Sequence, residues 1–92
     1  MSISINFAEV RNAVAALEKA LSEHPAPPQV AAEMEPEIQT MKAQLSKSEP
    51  SRSILREAGK TLRNIAEGAA GSLLAPKVVI AINSLATMLG LQ

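Results

Sequence analysis

The side chains able to do chemistry are few, and their spacing works against catalysis. His24 is the sole histidine and abuts the run Pro25-Ala26-Pro27-Pro28, which reads as a solvated helix end rather than a metal ligand or general base. Glu33, Glu35 and Glu37 resemble paired carboxylates for acid–base work, but alternate positions on a helix do not face one another, so they read as an acidic edge. A serine nucleophile needs a base and an orienting carboxylate, whereas this chain offers one His, no Asp and no nucleophile-elbow pattern. The glycines match no phosphate-binding fingerprint. With no Cys there is no thiolate for a metal or a disulfide, in keeping with a reducing, cytoplasmic setting. The expectation is a protein that is not an enzyme, with no catalytic, metal or cofactor-binding residues.

One charged pattern does stand out. Arg52, Arg56, Lys60 and Arg63 fall within about 80° of one another on a helical wheel. Three readings stay open: a solvated face, docking against acidic residues within the chain or across an oligomer, and contact with an anionic lipid surface or nucleic acid. Nucleic acid is the weakest, because nine basic and nine acidic residues give zero net charge, and the chain has no Trp or Tyr and one Phe to stack on bases. The balance conceals a gradient: six Glu against three basic residues in 1–46, and the reverse in 47–92.

The elements that must carry these residues are helices. Asn6 followed by Glu9 is a helix-start pair, a side-chain acceptor with a reciprocal partner. Phe7, Val10, Val14, Leu17 and Leu21 then repeat at 3, 4, 3, 4, a heptad seam over about 7–23. The proline run stops it. A second helix, about 29–46, starts near Pro28 and places Val30, Met34, Ile38, Met41 and Leu45 on one face, with a kink or restart expected near Glu35 because Pro36 lacks an N–H and crowds the carbonyl of Ala32. Residues 46–51 form a polar linker. The third helix, about 53–74, carries Leu55, Ala58, Leu62, Ile65 and Ala69, with Ile54, Ala66 and Leu73 widening the stripe. The fourth, about 77–89 after Pro76, is apolar nearly all round, and Gly90 is its expected stop. The first six residues, Met1 to Asn6, lack the basic and apolar regions of a signal peptide.

Ninety-two residues suffice for one domain. The fold class this implies is all-α, two helical hairpins forming a four-helix bundle completed by oligomerisation. With 47% apolar residues and zero net charge there is little electrostatic protection against association. The expected function is a self-association or adaptor module whose partner is a second copy or another protein, with Leu55, Leu62, Ile65, Val78, Ile82, Leu85 and Leu89 in the shared interface. The competing function is a membrane-active effector that docks on or perforates anionic bilayers. Residues 78–91 fall short of the roughly 20 apolar residues a spanning helix needs, so packing is preferred over insertion.

The run Leu62-Arg63-Asn64-Ile65-Ala66-Glu67-Gly68-Ala69-Ala70-Gly71-Ser72-Leu73-Leu74-Ala75 resembles a C-terminal segment of small bacterial proteins associated with abortive infection and phage defence. It covers less than a fifth of the chain. The resemblance implies a bacterial or phage-related interaction protein and carries no site residues with it.

Overall fold

Asn6 starts the first helix as its side chain allows. It is extended (φ −89°, ψ 101°), and its Oδ1 accepts the Glu9 amide at 3.2 Å, occupying one of the orphan donors of a helix start. Only this half of the expected exchange forms. The structure, a computed structural model, describes residues 4–91; the reading of Met1-Ser2-Ile3 as no part of a signal peptide lies outside them. Helix α1 runs Phe7–Glu23 and ends at His24, whose amide donates to the Ala20 carbonyl at 2.8 Å before the prolines intervene.

Helix α2 spans Pro28–Leu45 with Pro28 in its first turn. The expected restart near Glu35 does not occur, and α2 passes through Pro36 as one helix. Pro36 and Ala32 are both exposed, so the carbonyl deprived of its partner lies on the watered side, where the loss is smallest. At the other end Arg11 of α1 donates from Nε and Nη2 to the Leu45 carbonyl at 3.1 and 2.9 Å. A helix C-terminus has carbonyls without intrahelical donors, and here a guanidinium from the neighbouring helix serves one of them. Arg11→Ala is expected to cost about 1–2 kcal/mol, lowering the melting temperature by several degrees, with Arg11→Lys recovering part of it; thermal denaturation followed by circular dichroism checks this.

Helix α3 spans Arg52–Glu67, capped by Ser51, whose hydroxyl accepts the Ile54 amide at 3.3 Å. Gln44, buried at the end of α2, accepts the Ser51 amide at 3.0 Å and so anchors the linker. The expectation that α3 continues to residue 74 is corrected. Gly68 is extended (φ −83°, ψ −170°), and Ala69–Leu73 form a 3-10 turn before Leu74 returns to the core. Gly68 adds no side chain to hold the helix together, and the small residues beyond it lack the bulk to keep it packed. Helix α4 spans Pro76–Met88. Gly90, at φ 76°, ends it as expected: its amide donates to Thr87 and that of Leu91 to Ala86, the paired reversal that satisfies terminal carbonyls.

The fold is an all-α helical bundle. Each helix packs on the next and α4 closes back on α1. Three chain reversals through short connections make neighbours antiparallel, α1 and α4 included. Between them lie Val10, Leu17, Met34, Ile38, Met41, Leu55, Leu62, Val78, Ile82, Leu85 and Leu89, all essentially inaccessible to water. One chain therefore fills its own core.

Candidate interaction surfaces

Six of the seven residues expected at an interface, Leu55, Leu62, Val78, Ile82, Leu85 and Leu89, lie inside the protomer. Ile65 is half-buried and borders a depression between α2 and α3. A heptad seam marks which residues bury against some helix; it does not say whether that helix belongs to the same chain. The seven residues thus belong mainly to the internal core, and the outward apolar surface is made by others.

Among the described residues, Ile80, 66% exposed, Leu73, 59%, and Ile54, 40%, are the large apolar side chains left in water. Ile54 and Leu73 were expected to widen the buried stripe of the third helix. Both fall on the outer side of the seam between α2 and the α3 segment, where shallow depressions are bordered by Glu33, Glu37 and Glu57. Glu33 and Glu37 thus share this seam, whereas Glu35 accepts a hydrogen bond from Gln39 at 2.8 Å. No three His, Cys, Asp or Glu side chains converge among the described residues.

The basic stripe is divided. Arg63 is half-buried and pairs with Glu67 one turn on, at 3.4 Å. Arg52, Arg56 and Lys60 are exposed and meet no carboxylate within ion-pair distance among the described residues. The attraction between the acidic and basic halves is therefore not realised through this stripe. The halves of the first hairpin are joined instead by Lys42 and Glu18, 3.0 Å apart, an exposed pair contributing at most about 1 kcal/mol. His24 is exposed at the end of α1.

A groove of about 490 Å³ lies between α1 and α4. Ala13, Ala16 and Ala20 form its α1 side, and Ile80, Ala81 and Met88 its α4 side, while Lys19, Glu23 and Lys77 stand near one end. The alanines keep the α1 wall low, and Ile80 rises beside it. Periodicity did not single out Ile80, because it falls off the Val78, Ile82, Leu85, Leu89 seam in a helix where nearly every neighbour is also apolar. Its position directly opposite that seam on the helical wheel is the signal that distinguishes it.

No helix among the described residues is long and apolar enough to cross a membrane. Comparison with known proteins returns no matching family model, no similar curated protein and no similar solved structure.

Proposed function

We propose that this chain is a non-enzymatic helical interaction module that self-associates through the outer surface of its bundle. One observation carries the reading: the core is closed within a single chain, yet Ile80, Leu73 and Ile54 remain exposed on its surface. Zero net charge leaves such surfaces little mutual repulsion. A helical pair presenting apolar side chains over an alanine wall is suited to another helical pair, and the scarcity of nucleophiles, bases and ligands in the chain supports the non-enzymatic part. A place in phage defence rests on the resemblance of residues 62–75 alone.

Docking on anionic bilayers is the second reading, favoured by the unpaired Arg52, Arg56 and Lys60. It faces a cost, because the apolar face of the same helix, including Leu55 and Leu62, is already buried and would have to leave the core to reach acyl chains. Light scattering after size exclusion, at micromolar to millimolar protein, and flotation with anionic and neutral vesicles separate the two. A mass of two or more chains with no vesicle binding is expected. A single-chain mass throughout overturns self-association, and flotation with anionic vesicles only, abolished by Arg56→Glu with Lys60→Glu, establishes the bilayer reading.

A further inference from the structure

We infer that the groove between α1 and α4 is the contact between two copies, related by a two-fold axis running along it; this deepens the self-association reading and rests on it. The groove has two unlike sides. Along α4 stands Ile80, 66% exposed, with Lys77 a turn before it. Along α1, residues Ala16, Lys19, Ala20 and Glu23 border the same groove. Their spacing is i, i+3, i+4 and i+7, the four-cornered hole that receives one side chain of a facing helix. Two of its corners are alanines, so the hole is deep enough for a branched side chain.

A two-fold axis along the groove preserves height and exchanges sides. Helix α4 of each copy then lies over α1 of the other, antiparallel, as α1 and α4 already lie within the chain. Because Ile80 lies one turn inside Lys77 and Ala20 one turn inside Glu23, on antiparallel helices lining one groove, Ile80 of each copy arrives over the other copy's hole. Glu23, at the end of α1, and Lys77, at the start of α4, line the same groove from its two helices and form no ion pair among the described residues. The same axis sets each Lys77 against the other copy's Glu23. Shape and charge therefore match twice, as an isologous interface requires. The alternative axis, at right angles to the groove, would carry these charged ends apart. Helices side by side, α1 about 25 Å and α4 about 20 Å long, offer a face of the scale used by standard interfaces, about 800 Å² per partner, or roughly a seventh of the 5505 Å² surface of the chain.

Sedimentation equilibrium on the full chain tests this. Wild type is expected to dimerise, and Ile80→Asp to weaken the dimer about tenfold or more with unchanged helical circular dichroism, since the side chain makes little contribution to the core. Glu23→Lys and Lys77→Glu, each alone, are expected to weaken it about two- to fivefold. Mixed in equal amounts, these two variants regain wild-type affinity, because the heterodimer holds two opposite-charge crossed pairs, one with the native signs and one with the signs exchanged. If Ile80→Asp alters helicity, the charge-exchanged mixture decides. A wild-type dimer indifferent to Ile80→Asp and to both charge changes, or one abolished by Ile54→Asp instead, overturns the groove contact while leaving self-association intact. A wild type that stays monomeric at millimolar concentration overturns both.

Discussion

Leu62→Ala is expected to remove 2–5 kcal/mol of stability and to lower the melting temperature by roughly 10–30 °C. Leu62 has no accessible surface and lies in mid-α3, on the face that meets the rest of the core. The substitution removes a branched side chain whose place is enclosed by helices already held by their own contacts, so the void cannot collapse fully and the lost transfer energy is joined by a cavity term. Total stability for a domain of this size is about 5–15 kcal/mol, so the change consumes a large fraction of it. Thermal and urea denaturation monitored at the helical circular dichroism band are the measurements. A shift below about 1 kcal/mol, the range of surface substitutions, would contradict the placement of α3.

The second large effect is expected from Gly71→Ala. A Cβ at Gly71 would run into the Ala66 carbonyl oxygen, a backbone atom in the last turn of α3 that no rotamer change can move aside. The 3-10 turn would have to swing away, weakening the hydrogen bonds that the Gly71 amide donates to the Gly68 carbonyl and the Leu74 amide to the Gly71 carbonyl, and drawing buried Leu74 outward. A cost of about 1–3 kcal/mol follows, as for overpacked interiors, with faster proteolysis between residues 68 and 75. Gly68→Ala is the control. Its Cβ would lie 3.1 Å from the Asn64 carbonyl oxygen, a tight approach but not an overlap, and its φ of −83° is open to alanine. Equal destabilisation by the two substitutions would refute the close crossing at Gly71.

Three of the four helices are legible in the sequence because each is bounded by chemistry that acts locally. Asn6 supplies an acceptor, Pro28 and Pro76 suit first turns, and Gly90 takes a backbone shape that other residues rarely adopt. The end of α3 is not legible for a related reason: Ile65, Ala69 and Leu73 continue the helical spacing, so the pattern alone extends the helix, while the close crossing of Gly71 over the Ala66 backbone leaves no mark on that spacing. The surfaces are less legible than the core. In α4 the periodicity identifies Val78, Ile82, Leu85 and Leu89 as one face, but with apolar residues all around the helix it cannot tell which others α1 and α3 will cover. By the same ambiguity, the seam of α4 reads equally as an internal core and as an interface between copies.

The gap left by Pro36 divides the backbone ladder of α2 unequally. The second half, from Glu37 to Leu45, is fastened from outside by the Arg11 guanidinium on the Leu45 carbonyl and by the Lys42 pairing with Glu18, and from below by Gln44 on the linker. The first half relies on Val30 and Met34 alone for anchorage and begins at a proline with no side-chain cap. Unzipping of the bundle is therefore expected to enter at the proline-rich corner between the first two helices, with faster amide hydrogen exchange before residue 36 than after it.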